Sequence, residues 1–380
     1  MSTEKTPDTI KRGLEGVVVD TSSISKVMPE TNSLTYRGYP VQDLAEHSSF
    51  EEVAYLLLNE DLPSAAELSA FMLKERGQRV LSKDLMSTIR LFPKKAHPMD
   101  TVRTGVSFLG MEDPDIWSFD RVHNYQKAQN LLAKIPTIIA ADYRCRTGKE
   151  PIAPRGDLGL SENFFNMCFG EVPHKDIVKA FDVSLILYAE HGFNASTFTS
   201  RVVTSTMSDM YSAVTAGIGS LKGPLHGGAN EQVMHMLKEI DDPKKAREWM
   251  LDALATKKKI MGFGHRVYKS GDSRVPTMSL YGRKLADIKG VKKWHEISDI
   301  LQQVMLEKKD IHPNLDFPAG PAYFLMGFDI EMFTPIFVMA RIAGWAAHVM
   351  EQAANNRLIR PLQQYAGPAE RKVKHLDKRP

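Results

Sequence analysis

The chain has 380 residues, with 49 basic and 46 acidic side chains, and its formal charge of +3 is too small for a nucleic-acid coat. Hydrophobic residues make up 43% and charged residues 25%, which excludes the disordered class and gives ample material for a sizeable core. Cys145 and Cys168 are the two cysteines, with no CxxC pair, so neither a disulfide framework nor a cysteine metal site is supported, and a reducing cytoplasm fits.

The opening MSTEKTPDTIKR is polar and lacks the apolar stretch of a secretory signal. Residues 16–20 (GVVVD) and 33–37 (SLTYR) are β-rich runs around a polar turn, which predicts one short N-terminal β-hairpin. Helical period dominates the rest. Ser49 followed by Glu52 is a capping-box pattern that starts a helix, and further helices are expected around 65–77, 84–91, 99–109, 120–147 and 175–191. Pro136 should kink or divide the fourth of these. Strands and helices do not alternate, so the fold class is mainly α.

Length favours two packed parts. Lysine runs at 257–259, 292–293 and 308–309 mark a more charged region, 228–333, as a smaller helical domain. It would be inserted between the two parts of a large helical domain, 1–227 and 334–380, the latter ending in a C-terminal arm. Residues 336–350 are strongly apolar but interrupted by Arg341 and His348, and too short for a membrane span, so they read as a buried helix.

Three segments carry candidate chemistry. In SLKGPLHGGANEQV, Gly227 and Gly228 allow a tight turn that leaves His226 at or just before a helix N-terminus, where the dipole favours neutral imidazole. Such a histidine can donate to a substrate carbonyl or serve the structure alone. KKKIMGFGHRVYKSGDSR brings cations to a glycine-containing loop around Gly262, Gly264 and His265, suited to phosphate or carboxylate, although a solvated loop has the same composition. In HPNLDFPAG, Asp316 lies in apolar company, which should raise its pKa and make it a usable proton acceptor; a helix cap or turn is the alternative. Arg341, inside PIFVMARIAGWAAHVM, needs an acid or an anionic ligand, with Glu331 or Glu351 as possible partners. Arg360 falls where Pro361 should end a helix. No HExxH motif occurs, and His226 and His235 are nine positions apart, so no metal site is expected.

PLHGGAN, GFGHRVYK with a downstream DSR, NLDF, MARIAGW and LIRP, in this order, closely resemble the citrate synthase family. The similarity runs from YRGYPVQDLAEHSSFEEVAYLLL to LIRPLQQYAGP, about nine tenths of the chain. LYAEHGFNASTFTSRV and EMFTPIFVMARIAGWAAH resemble its branch of 2-methylcitrate synthases and citrate synthases that use both acyl-CoAs. The resemblance implies a mainly helical homodimer that condenses oxaloacetate with acetyl-CoA or propionyl-CoA. Asp316 would be the base, His226 the donor to the thioester oxygen, and His265 the group polarising the ketone. His191, Arg274 and Arg341 would hold the oxaloacetate carboxylates, with Arg360 contributed by a partner subunit. Lys259, Met261, Gly262, Phe263, Gly264 and Lys269 would contact CoA, which is a substrate, and no separate cofactor is implied.

Two departures from the family pattern stand out. Asp272-Ser273-Arg274 replaces Asp-Pro-Arg, which should loosen the turn before the arginine. Pro318-Ala319 replaces an aromatic followed by serine, which bears on the acyl pocket. A citryl-CoA lyase is the alternative enzyme, and a helical nucleic-acid-binding or scaffold protein is the alternative outside catalysis, disfavoured by the charge balance and the few aromatics near the lysines.

Overall fold

The computed structural model describes residues 10–264, 267–268 and 271–379. Three short antiparallel strands, β1 (Ser25–Met28), β2 (Ser33–Tyr36) and β3 (Tyr39–Pro40), open the chain in the order β1-β2-β3, with Ser25 opposite Tyr36 and Thr35 opposite Pro40. Helices α1 (Val41–His47), α2 (Phe50–Asn59), α3 (Ala65–Gln78), α4 (Lys83–Leu91), α5 (Pro98–Met111), α6 (Arg121–Arg146), α7 (Leu160–Phe169) and α8 (Lys175–Tyr188) follow. After them come α9 (Ala195–Ser205), α10 (Met210–Leu221), α11 (Ala229–Ile240), α12 (Pro243–Ala255), α13 (Val275–Lys289), α14 (Lys293–Lys309), α15 (Asp316–Met326) and α16 (Phe333–Ala354). The mainly helical class expected from periodicity is therefore the observed one.

Local chemistry explains most boundaries. The Ser49 hydroxyl accepts the Glu52 backbone N–H while Glu52 reaches back to the Ser49 N–H at 2.7 Å, so the expected capping box starts α2, and Ser64 with Glu67 repeats the device at α3. One expectation fails outright, and of the two outcomes expected at Pro136 one is excluded. Residues 16–20 form no strand. Val18 is 88% exposed, and the partner of β2 is SKVM, whose register carries Val27 onto Leu34. Pro136 does not divide α6, which runs unbroken for 26 residues. Leu131, Leu132, Ile135, Ile138 and Ile139 are all buried around it, and this packing outweighs the lost backbone bond.

Helix α16 is the central pillar, buried almost throughout and packed against α2, α6, α8, α9 and α10. It is long and apolar enough to cross a membrane by composition, yet its apolar window is 94% buried by the protein itself. Helices α11 to α15 pack chiefly on one another and meet the rest mainly through α8 and α16. Tyr36 of β2 donates to the Glu190 carbonyl at 2.9 Å and so fixes the chain just beyond α8.

Candidate active site

A half-open cavity of about 1080 Å³ lies where the C-terminal end of α8, the turn before α11, the N-terminus of α15 and the middle of α16 converge. His191, His226, Arg274, Asp316 and Arg341 all line it, although up to 150 residues of sequence separate them. Lys259, Met261, Gly262, Phe263 and Gly264 form another part of the same wall. His265 and Lys269 lie outside the described residues. A second depression of about 210 Å³, bordered by α5, α6 and α10, contains none of the candidates.

Asp316 opens α15, and its Oδ1 accepts a 2.6 Å hydrogen bond from the Tyr188 hydroxyl at the end of α8. Burial pushes its pKa up to about 6, against the pull of that hydrogen bond and of the Arg274 charge. The carboxylate is thus mostly ionised near neutrality, yet far more basic than an exposed aspartate.

His226 sits on the turn between α10 and α11. Gly227 makes the turn possible: its N–H donates to the Leu221 carbonyl at 2.9 Å, and an added Cβ would lie 2.6 Å from the Leu221 side chain. The ring Nε2 lies 2.8 Å from the Ser196 hydroxyl and 3.3 Å from the Ser196 backbone N–H. A backbone N–H only donates, so Nε2 accepts and the ring proton belongs on Nδ1. Trp345 Nε1 donates to the same Ser196 hydroxyl at 3.2 Å, which holds the arrangement against α16. Burial, reinforced by the Arg341 charge, lowers the His226 pKa to about 3 and keeps the ring neutral.

The two arginines are prepared differently. Arg274 forks onto Asp272, with Nε to Oδ1 at 2.9 Å and Nη2 to Oδ2 at 2.7 Å, and the pairing raises its pKa. The expected looseness around Ser273 is not seen. Its hydroxyl is 3.1 Å from the Tyr268 hydroxyl, Gln42 donates to its carbonyl at 2.9 Å, and Asp272, Ser273 and Arg274 are all buried. Arg341, only 1% exposed, donates from Nε to the Tyr188 carbonyl at 2.7 Å and stacks 4.8 Å above Phe337. Neither Glu331 nor Glu351 pairs with it, and Glu351 instead binds Arg201 at 2.7 Å. Among the described residues Nη1 of Arg341 has no hydrogen-bond partner, an arrangement suited to an incoming anion.

The glycine-containing loop is tied directly to the segment that carries Asp316. Asn314 donates its N–H to the Gly262 carbonyl and its side-chain amide to the Gly264 carbonyl, both at 2.9 Å, and Phe263 meets Phe317 with ring centroids 4.5 Å apart. Arg360 is not in the cavity. Helix α16 stops at Ala354, before the asparagine pair 355–356, earlier than Pro361 suggested, and Arg360 is exposed on the tail beyond it.

Sequence reasoning missed Tyr188, Ser196 and the exposed segment 13–20, which forms one lip of the cavity. A valine run read as a strand was the signal for the last. Nothing in the spacing marked the other two.

The profile of the citrate synthase family, C-terminal domain, matches residues 13–362. The chain belongs to the citrate synthase family. It is 58% identical to 2-methylcitrate synthase of Mycobacterium tuberculosis, covering 97% of this chain and 93% of that one. It is 55% identical to citrate synthase of Mycolicibacterium smegmatis, covering 98% and 99%. The solved citrate synthase of Thermoplasma acidophilum, in ternary complex with carboxymethyl coenzyme A and oxaloacetate, superposes with a TM-score of 0.93 at 32% identity, covering 97% of this chain and 99% of that one. Membership of this family makes the chain an acyltransferase.

Proposed function

We propose that this enzyme condenses oxaloacetate with a short acyl-CoA, accepting propionyl-CoA as well as acetyl-CoA, to give 2-methylcitrate or citrate and free CoA. The observation that carries the reading is the meeting of a basic carboxylate, Asp316, with a neutral imidazole, His226, in a cavity that also holds the open fork of Arg341.

Asp316 removes an α-proton from the acyl thioester while His226 Nδ1–H donates to the thioester oxygen as negative charge grows there. The enol so formed attacks the ketone carbon of oxaloacetate. His265 polarises that ketone and protonates the new alkoxide. Arg274, Arg341 and His191 hold the oxaloacetate carboxylates, and Lys259 and Lys269, with the loop 261–264, receive CoA. Water then cleaves the thioester, which draws the reaction forward. No step calls for a metal or a resident cofactor, because CoA enters as a substrate.

One methylene is worth about 1–3 kcal/mol in a hydrophobic pocket, so use of both acyl groups is physically reasonable. The close likeness to a 2-methylcitrate synthase and to a citrate synthase supports it. Purified protein should release CoA thiol from both donors when oxaloacetate is present, and absence of release with either one removes the proposal.

We also infer a cytoplasmic homodimer in which 228–333 closes against 1–227 and 334–380, with Arg360 of each tail completing the other subunit's site. The exposed arm beyond α16 supports the exchange, and the two free cysteines suit a reducing compartment. Solution scattering should give the mass of two chains and a smaller radius of gyration once oxaloacetate is added. A one-chain mass would contradict the first expectation, and an unchanged radius the second.

A further inference from the structure

Glu190 lies behind the cavity wall rather than in it, with no exposure at all. Its Oε1 accepts from the Ser25 hydroxyl of β1 at 2.9 Å, from the Gly192 backbone N–H, and from His348 Nε2 of α16 at 3.0 Å. His348 Nδ1 faces Arg201 Nη1 at 3.2 Å, a group that only donates, so the ring proton is on Nε2 and the imidazole brings no charge. Arg201 is itself matched by Glu351 at 2.7 Å and by Asp20 at 3.1 Å. The negative charge of Glu190 is therefore cancelled by neither His348 nor Arg201; it acts on Arg341, for which it is the foremost opposite charge, and more weakly on Arg37, which Glu60 and Glu351 serve first. Three donors on Oε1 and the Arg341 charge favour the ionised carboxylate against the burial that opposes it.

Among the described residues no carboxylate lies within ion-pairing distance of Arg341, and Oε2 of Glu190 and Nη1 of Arg341 both lack a hydrogen-bond partner. Gly344, one turn along α16 from Arg341, lets the two elements approach this closely: a Cβ there would collide with the Ala189 carbonyl and with Glu190 Oε2.

We propose that Glu190 is the buried counter-charge of Arg341, balancing the guanidinium through the protein without occupying its hydrogen-bonding fork, which stays open for a substrate carboxylate. This rests on Arg341 being a carboxylate contact, and it makes Glu190 a positioning residue that acts through Arg341. Arg274, by contrast, carries its counter-charge directly on its fork.

Thermal unfolding of wild type, Glu190→Gln, Arg341→Met and the double variant, with and without oxaloacetate, tests it. Glu190→Gln keeps the shape and loses the charge. Its ligand-free Tm should fall by about 5 °C. The double variant should lose clearly less than the sum of the two single losses. Saturating oxaloacetate should erase most of the Glu190→Gln deficit, and its oxaloacetate KM should fall roughly threefold, because the dianion no longer faces a fixed negative charge. Additive losses, a deficit unaffected by oxaloacetate, or a raised oxaloacetate KM would overturn the proposal, since a merely structural role gives these. If Glu190→Gln does not fold, recovery of folded protein in the double variant supports the same coupling and failure to recover overturns it. Non-additive ligand-free losses, combined with no protection of the wild type by oxaloacetate, would support the counter-charge and remove the substrate role of Arg341 instead.

Discussion

Asp316→Asn is expected to lower kcat by about 10³-fold while oxaloacetate still binds, because the amide keeps the shape of the side chain and cannot accept the α-proton. Oxaloacetate affinity should survive, since Arg274, Arg341 and His191 come from other elements and are anchored by Asp272, the Tyr188 carbonyl and the chain beyond α8. The wild-type pH profile gives an independent reading of the same group. Burial places the carboxyl near pH 6. Below that value Asp316 retains its proton and cannot take another, so kcat/KM should fall about tenfold per pH unit on the acid side. Steady-state rates from pH 4 to 8 measure this. Near-normal turnover in the asparagine variant, or an acid limb centred near pH 4, would show that another group takes the proton.

His226→Ala should cost about 10²–10³ in kcat, the usual loss when one donor to a developing oxyanion is removed. KM for oxaloacetate should change little, because the ring's proposed contact is with the thioester. The loss should not depend on pH between 5 and 8, since burial and Arg341 keep the imidazole neutral far below that range. Full kinetics with both substrates varied would separate the two effects. A variant in which only the oxaloacetate KM rises would mean that His226 binds that substrate and does not stabilise the enolate.

The sequence spelled out the helices well, because caps such as Ser49 with Glu52 and long apolar periods act locally. It spelled out the strands poorly. The run GVVVD has strand chemistry, but pairing depends on which segment reaches β2, and SKVM does so. Pro136 shows the same limit: the penalty is local, and the packing around α6 that overrides it is not. At the site, His226, Asp316, His191, Arg274 and Arg341 were legible through motif order, and the structure brings these five to one cavity. Tyr188 and Ser196 were hidden, since each acts only through a partner 128 or 30 positions away. The acid expected to pair with Arg341 was sought on its own helix or just before it, whereas the carboxylate proposed as its counter-charge comes from the chain just beyond α8.

The two hydrogen bonds from Asn314 to the 262–264 loop make that loop and Asp316 one mechanical part, although about fifty residues separate them along the chain. If the loop receives CoA and Asp316 takes the proton as proposed, damage to the grip on the nucleotide end of the thioester would masquerade as a defect in proton transfer, and kinetics alone would lead an observer to blame the wrong end of the substrate.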